Sequence, residues 1–252
     1  MISKSSTNKY GLSRSIPDSV KREVRQKCGF GCVICGAIPF VYHHFALPYR
    51  DAKEHCSGGI SLLCANHHAE AESGLLLKET IVKKVQKPNS IVNGFSKHEL
   101  HLDDKFPVIF LGKAMFIGNP ILIKAFGMPL FSVEKPEETG SPYRINATFY
   151  DSVGTLSCEI KGNELSFLTA NWDITFIKRT ITIRNAPKEV VIRMNINPPN
   201  ELVIDRLNMF YKGYRFVVDE NQKTSAYFPN GEMWFTLGNP IFEGNNAVIV
   251  IE

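Results

Sequence analysis

The hydrophobic positions of this chain form two patterns, and the change between them falls near residue 105. In the first part, Val20, Val24 and Cys28 recur at every fourth position, which is the spacing of one apolar face of a helix. The stretch "SIPDSVKREVRQKCG" is therefore predicted to be a helix, with Ser15 as its amino-terminal cap and Gly29 as its stop. In the second part, short runs of Val, Ile, Phe, Thr and Tyr alternate with turn sequences, which is typical of strands.

The first part of the chain has the order strand, loop, strand and helix. The predicted strands are the runs "IPFVYHHF" and "GGISLLC", and the helix after them begins with "ANHHAEAESGLLL". A further helical turn or two over "KETIVKKVQKP" would end at Pro88, because proline cannot continue a helix. Residues 1–14 look flexible, and the polar, turn-rich residues 91–105 are predicted to be a linker.

The second part of the chain is predicted to be all-β. Its strand-like runs include "PVIFLG", "INATFYD", "TITIRN", "EVVIRMNI" and "YRFVVD". These runs fit a sandwich and a short β-solenoid equally well, because no residue pattern repeats cleanly. The expected fold class is therefore α+β, with a first domain over residues 1–90, a linker over 91–105 and an all-β domain over 106–252.

The composition is that of an ordinary globular protein. Hydrophobic residues make up 44% and charged residues 21% of the 252 positions, which leaves ample material for a buried core. The chain has no run of 18 or more apolar residues, so no membrane span is expected. Its start, "MISKSSTNKYGLSRS", is polar and lacks the apolar segment of a signal peptide. We therefore expect a cytoplasmic protein with no membrane partner.

Basic residues are concentrated in the first part of the chain. Residues 1–90 contain 13 Lys and Arg against 7 Asp and Glu, whereas residues 91–252 contain 16 against 18. A basic first part beside a slightly acidic remainder fits a nucleic-acid contact confined to the first part. Ordinary solvated charge is the alternative explanation of the same distribution.

The cysteines point to a metal site. Five of the six lie between Cys28 and Cys64, and in a reducing compartment such clustering favours a metal over disulfides. Cys32 and Cys35 form one pair with two residues between them, and Cys64 and His67 form a second. Three thiolates and one imidazole suit tetrahedral zinc. We predict a structural zinc that stabilises a segment too small to hold itself together.

Three further histidines lie close in sequence to these pairs. His43 and His44 are adjacent on a predicted strand, so their side chains point to opposite faces. One division of roles makes His43 a ligand of a second metal ion and leaves His44 free to act as a base. His68, at the start of the predicted helix, would complete the second site.

The order Cys-x2-Cys, His-His and Cys-x2-His-His resembles the HNH, or ββα-metal, nuclease family. The match covers residues 26–72, and the helix before them looks like the usual lead-in. The resemblance implies an HNH endonuclease domain in which His43 and His68 hold a catalytic divalent ion, Mg²⁺ or Mn²⁺. It implies that His44 is the general base that activates water for attack on a DNA phosphodiester. The implied structural zinc ligands are Cys32, Cys35, Cys64 and His67.

The chain departs from the family pattern at two positions. Gly59 stands where the family commonly has an asparagine that holds the loop and orients the base, so His44 must be oriented by a backbone carbonyl, Ser57 or Ser61. His67 stands where the family more often has cysteine. Some members place a third metal ligand one helical turn after the last histidine. Glu72 is predicted to do this here, with Glu70 as the alternative and two solvated carboxylates as the plain explanation.

Four basic residues are candidate DNA contacts. Arg22 and Arg25 lie off the apolar stripe of the first helix and would be available to phosphate. Arg50 and Lys53 lie between the two strands, in a loop that the ββα-metal fold places near the phosphate backbone. A solvated loop is the alternative for that second pair.

The sequence therefore predicts a metal-dependent HNH endonuclease that hydrolyses DNA. Because no catalytic motif is evident in residues 106–252, that part is expected to form a homo-oligomer or to sense a ligand that controls the nuclease. Such an arrangement would suit an antiviral defence effector in bacteria, an idea that rests on architecture alone. The alternative is a catalytically inactive, zinc-stapled DNA-binding or scaffold protein, which the substitution at Gly59 motivates.

Overall fold

A computed structural model describes residues 7–103, 105–136, 138–244 and 246–252. The chain divides between Lys97 and His98 into two compact units, the first rich in helix and the second in strand. The helices are α1 (Asp18–Cys28), α2 (Ala65–Ser73), α3 (Lys78–Gln86) and α4 (Asn89–Asn93), and all precede the division. Single 3-10 turns cover Tyr49–Asp51 and Ser57–Gly59.

The first unit is built around a two-stranded antiparallel sheet, β1 (Val41–His44) and β2 (Ile60–Leu63), followed directly by α2. The predicted order of strand, loop, strand and helix is therefore present. In the register, His43 lies opposite Ser61 and His44 lies opposite Ile60. Strand β2 is buried along its whole length, which explains why its sequence is a continuous apolar run.

Helix α1 ends as predicted but begins differently. Gly29 has a left-handed backbone, with φ of 66°, and its amide and the next one bond back to the carbonyls of Gln26 and Arg25. The predicted cap at Ser15 is wrong. Pro17 occupies the cap position, and no side chain caps the helix within the described residues. The helix therefore starts at Asp18, three residues after Ser15.

A compact core holds the first unit together. The apolar stripe of α1 contributes Val24 and Cys28, which are buried against Leu62 and Leu63 of β2. Val33, in the loop after α1, donates its amide to the carbonyl of Leu62 at 2.9 Å. The loop that carries the first cysteine pair is thereby fixed to the central strand.

The predicted linker over residues 91–105 is wrong in part. Helix α4 extends to Asn93, and β3 (Phe95–Glu99) follows it. The polar composition concealed this strand, because only alternate side chains such as Ser96 are buried while Lys97 is exposed. Leu100 is also buried, and its amide donates to the carbonyl of Asn163.

Every regular element described from residue 106 onward is a strand. These strands are β4 (Val108–Leu111), β5 (Ala114–Ile117), β6 (Ile121–Ala125), β7 (Met128–Glu134), β8 (Arg144–Tyr150), β9 (Leu156–Lys161), β10 (Glu164–Leu168), β11 (Asp173–Ile177), β12 (Thr180–Ala186), β13 (Glu189–Asn197), β14 (Glu201–Tyr211), β15 (Tyr214–Val218), β16 (Thr224–Tyr227), β17 (Met233–Leu237), β18 (Ile241–Glu243) and β19 (Ile249–Ile251). In a seven-stranded sheet the order is β19-β6-β7-β8-β9-β10-β3, and in a larger sheet the path is β11-β12-β13-β14-β15-β16-β17. Strands β4 and β5 extend the larger sheet through β14, and β18 pairs with β5.

Of the two alternatives for this half, a sandwich and a short solenoid, the strand pairing excludes the solenoid. Consecutive strands such as β7, β8, β9 and β10 pair antiparallel through hairpins, whereas a solenoid stacks its rungs in parallel. Alternating burial along β8 and β10 puts Phe149 and Phe167 in the core, and Phe131 joins them from a continuous buried run of β7. In the part of the chain that the structure describes, no helix combines the length and the apolar content needed to cross a membrane.

Candidate metal centres

Two segments bring the Cys and His pairs of the first unit together. The first pair lies in a tight turn after α1, closed by a bond of 2.7 Å from the amide of Gly36 to the carbonyl of Cys32. Cys64 directly precedes α2, and His67 lies in the first turn of that helix. The ligand atoms of Cys32, Cys35, Cys64 and His67 all lie within 4.8 Å of one another.

The spacing within this Cys3His cluster fits a tetrahedral metal. The sulfurs of Cys35 and Cys64 are 3.9 Å apart, and Nδ1 of His67 lies 3.4 Å from the sulfur of Cys32 and 3.2 Å from that of Cys64. A tetrahedral zinc site has sulfur–sulfur edges of about 3.8 Å and sulfur–nitrogen edges of about 3.6 Å. The cluster can therefore hold a structural metal such as zinc.

The electrostatic environment of Cys32 favours a bound cation. Burial raises the pKa of its thiol to about 12, although backbone N–H groups of Cys64, Cys35 and Ile34 act to lower it. Burial likewise raises the pKa of Cys35. Thiolates form here only when a positive charge compensates them, so metal binding must displace protons from these sulfurs.

A second cluster of metal-ligand side chains joins β1 to α2. The carboxylate oxygen of Glu72 lies 3.8 Å from Nδ1 of His43 and 3.7 Å from Nε2 of His68. The two imidazoles meet edge to face, with ring centroids 5.3 Å apart. All three ligand atoms lie within 4.8 Å of one another, so the structure brings Glu72, and not Glu70, to these histidines.

The protonation of His43 suits a ligand. Burial lowers its pKa, the neighbouring imidazole of His68 lowers it further, and the carboxylate of Glu72 raises it. A neutral imidazole has a lone pair to offer a metal, whereas an imidazolium has none. Two imidazoles and one carboxylate on one side of an ion would leave its remaining positions open to water or substrate.

His44 is held by His55, a residue of the loop between β1 and β2 that no sequence motif singled out. Its Nε2 lies 3.2 Å from Nδ1 of His55, and Nε2 of His55 lies 2.8 Å from the carbonyl oxygen of Ser13. Burial lowers the pKa of His44, and the imidazoles of His55 and His43 lower it further. No spacing rule marked His55, because it approaches His44 only through the fold of the loop between β1 and β2.

The two serines that could orient His44 do not form hydrogen bonds with it. Ser57 accepts a hydrogen bond of 3.1 Å from Lys27. Ser61 is buried opposite His43, and its hydroxyl has no hydrogen-bond partner among the described residues. The backbone carbonyl of Gly59 accepts from the amides of Phe45 and Ala46, and its amide donates to the carbonyl of Cys56. Among the described residues, neither serine bonds to His44, and the loop supplies the imidazole of His55 instead.

His43, His44, His68 and Glu72 line one cleft of about 890 Å³. Three basic side chains lie in its wall, from Arg14, Arg50 and Lys78. Arg14 stacks over the ring of Tyr49 at 5.2 Å, and Lys78 donates to the carbonyl of Ala46 at 2.8 Å. Only Arg50 was among the predicted contacts, because Arg14 lies in a segment that looked flexible and Lys78 on a helix outside the motif.

The other predicted DNA contacts lie elsewhere. Arg25 is 8% exposed and donates to the hydroxyl of Tyr42 at 2.7 Å, so the expectation that it is available to phosphate is wrong. Helical periodicity places Arg25 off the apolar stripe of α1, but its side chain is covered where it contacts Tyr42 of β1. Arg22 is half-buried on α1. Lys53 is exposed and lies over the ring of Tyr10, on the wall of a second cavity that His44 also lines.

The segment before α1 is ordered over its described part, residues 7–15, and lies along the loop between β1 and β2. Thr7 pairs with Ser13, and Asn8 sits inside the turn between them. The amide group of Asn8 donates to the carbonyls of Tyr49 and Ala52 at 2.7 and 2.6 Å. The expected flexibility of these residues is wrong, because one asparagine side chain provides the bonds that the short segment cannot make within itself.

Comparison of the chain with protein-family models, with curated proteins and with solved structures found no match.

Proposed function

We propose that this chain is a metal-dependent endonuclease that hydrolyses phosphodiester bonds of DNA. The observation that carries the proposal is the placement of His44 beside the cluster of His43, His68 and Glu72, in one cleft with cationic walls. Phosphodiester hydrolysis requires a base for water, a cation for the developing negative charge and positive groups that bind the substrate. The strand–strand–helix order, which is the order expected of the ββα-metal fold that the Cys and His motif resembles, supports the same reaction.

Each residue of the cleft has a separate task in this proposal. His43, His68 and Glu72 would hold a divalent ion, and that ion would stabilise the negative charge that develops at the phosphate. His44 would accept a proton from the attacking water, and its lowered pKa keeps it neutral and ready to do so near pH 7. Arg14, Arg50 and Lys78 would bind the phosphates on either side of the cleaved bond.

The ligand set favours Mn²⁺ over Mg²⁺. Mg²⁺ prefers an octahedral set of oxygen ligands, whereas this cluster offers two nitrogens and one carboxylate. Mn²⁺ is a transition-metal ion and binds imidazole nitrogen more readily than Mg²⁺ does. We expect Mn²⁺ to support cleavage at a lower concentration than Mg²⁺. Zinc is the metal that we assign to the Cys3His cluster, where it would have a structural role.

The test is cleavage of supercoiled plasmid DNA with Mn²⁺ or Mg²⁺ by the parent protein and by His44→Ala. Loss of a general base should slow cleavage by about 10²–10⁴-fold without loss of bound zinc. His101→Ala, which removes an exposed imidazole of the second unit, is the matched control and should cleave at the parental rate. Equal rates for His44→Ala and the parent would refute the assigned mechanism. Binding of DNA without any divalent-dependent cleavage would establish the inactive DNA-binding alternative.

We further propose that the second unit forms a homo-oligomer. Phe126, Tyr214, Phe228 and Trp234 form a continuous aromatic surface with neighbouring ring centroids about 6 Å apart, and both phenylalanines are exposed. Such a surface is a common site of association. Light scattering of the full chain should give a dimer or larger, and Phe228→Glu should lower the mass. A monomeric parent would favour the second unit as a sensor; a place in antiviral defence would fit either outcome.

A further inference from the structure

The strongest feature outside the metal ligands is a line of three groups that begins at His44. Its Nε2 meets Nδ1 of His55 at 3.2 Å, and Nε2 of His55 meets the carbonyl oxygen of Ser13 at 2.8 Å. The rings of His44 and His55 have centroids 5.4 Å apart, and Tyr49 stacks nearly parallel on His55, with an interplanar angle of 10°. His55 is thus held on three sides.

The chemistry of these groups fixes where the hydrogens are. A carbonyl oxygen only accepts, so Nε2 of His55 must carry a hydrogen. In a neutral His55 the other nitrogen, Nδ1, then has a lone pair and accepts a hydrogen bond. Nε2 of His44 must be the donor of that bond, which leaves Nδ1 of His44 without a hydrogen. The base therefore presents Nδ1 as its proton acceptor.

The carbonyl at the end of this line is itself held in place. Ser13 pairs with Thr7, and the side chain of Asn8 bonds to the carbonyls of Tyr49 and Ala52. Tyr49 in turn donates its hydroxyl to the carbonyl of Leu12 at 2.8 Å. The segment before α1 and the loop between β1 and β2 thus fix each other, and His55 lies where they meet.

We propose that His55 is a positioning residue that holds His44 in the tautomer with Nδ1 free to accept the proton of the attacking water. His55 would take the place of an orienting side chain that Gly59 lacks, and the idea rests on the proposed nuclease activity. In the reaction, one proton of water moves to Nδ1 of His44 while the water oxygen bonds to phosphorus. The phosphorus–oxygen bond to the leaving nucleotide breaks, and that oxygen takes a proton from solvent.

The hydrogen bond to His55 becomes stronger as this step proceeds. When His44 accepts the proton, its ring becomes an imidazolium, and the Nε2–H group is a better donor than in the neutral ring. An acceptor already in position stabilises this charge without rearrangement. The contribution of His55 should thus appear in kcat, because the interaction strengthens after the substrate has bound.

Two substitutions separate positioning from simple support of the loop. His55→Ala removes the acceptor for His44, whereas His55→Asn can keep it, because the amide oxygen of asparagine reaches the position of Nδ1. His55→Ala should lower kcat by about 10- to 100-fold, as loss of a group that orients a functional histidine does elsewhere, with KM for DNA and bound zinc unchanged. His55→Asn should retain kcat within about threefold of the parent.

Direct observation of the tautomer keeps the test independent of activity. A long-range ¹H–¹⁵N correlation spectrum of the full-length protein should show His44 protonated on Nε2 and bare on Nδ1, and His55→Ala should make it a mixture of tautomers. Parental kcat in His55→Ala, an equal loss in His55→Asn, or a His44 protonated on Nδ1 in the parent would each overturn the proposal. If the parent cleaves no DNA but has the expected tautomer, the nuclease function fails and the positioning of His44 by His55 stands.

Discussion

The two clusters of metal-ligand side chains in the first unit share helix α2 but differ in burial and ligand chemistry. The Cys3His cluster offers four ligands, three of them sulfur, and Cys32 within it is completely buried. The second cluster offers two imidazoles and a carboxylate, and the side chain of Glu72 is 66% exposed. Structural metals are enclosed by protein ligands, whereas catalytic metals keep open positions for water and substrate. Ligand number and exposure thus fit the structural and catalytic tasks that we propose for the two clusters.

A single helix can serve both clusters because of its geometry. His67 and His68 are successive residues, and side chains of successive residues on a helix point about 100° apart. One faces the cysteines, and the other faces His43 of the neighbouring strand. Glu72 follows His68 by one turn and lies on the same side. A substitution in either cluster should therefore leave metal binding by the other cluster unchanged.

The largest effect is expected from Cys32→Ser. Loss of one thiolate should abolish tight zinc binding, and the first unit should lose its cooperative thermal transition because the metal supplies much of its folding free energy. Elemental analysis and circular dichroism measure the two changes. Cys56→Ser is the matched control, since Cys56 is exposed and outside both clusters, and it should keep its zinc. A folded, zinc-free Cys32→Ser protein would show that the cluster does not stabilise the unit.

The second cluster should respond in activity and not in folding. His68→Ala should reduce plasmid cleavage by about 100-fold or more, because the ion that stabilises the transition state is lost, while bound zinc and the melting temperature stay near parental values. Glu72→Gln should have a smaller effect in the same direction, and Glu70→Gln, on an exposed neighbour outside the cluster, should have none. Loss of zinc in His68→Ala would show that the clusters are not separable.

The closed cluster should release its metal as the pH falls. Because burial raises the pKa of the Cys32 thiol to about 12, a proton competes with the metal for this sulfur at every physiological pH. The affinity for the metal should thus increase as the pH rises. For each proton that binding displaces, the affinity should fall by about tenfold when the pH is lowered by one unit. Competition with a chromophoric chelator between about pH 8 and about pH 6 measures the slope. A pH-independent affinity would mean that binding displaces no proton.

The smallest effects are expected from the cations in the cleft. Arg50→Ala should weaken DNA binding only a few-fold, uniformly across sequences, and should reduce the slope of log affinity against log salt by about one. Lys84→Ala provides the control, because Lys84 is exposed on α3 and lines neither this cleft nor the cavity beside Lys53. Fluorescence anisotropy with a duplex at several salt concentrations gives both quantities. Equal slopes for the parent and Arg50→Ala would remove Arg50 from the DNA contacts.

Local sequence patterns predicted much of the first unit. The periodicity of Val24 and Cys28 placed α1, Gly29 marked its end, and the Cys-x2-Cys and Cys-x2-His spacings identified four side chains that do come together. These patterns work because helix periodicity and ligand spacing act over a few residues. The predicted cap at Ser15 was wrong because Pro17, two residues later, takes the cap position. The exposure predicted for Arg25 was wrong, and the solenoid alternative was excluded, because the contact with Tyr42 and the antiparallel strand pairing depend on the tertiary structure.

The sequence by itself determined the order of α1, β1, β2 and α2 in the first unit, the β character of the second, and the residues of the Cys3His cluster. Only the tertiary structure decided which carboxylate lies beside His43 and His68. It also decided that His55 contacts His44 and that the carbonyl of Ser13 contacts His55. Ser13 and His55 are 42 residues apart, and no periodicity connects them. Their contact depends on the path of a loop and of the segment before α1, which side-chain hydrogen bonds from Asn8 and Tyr49 fix.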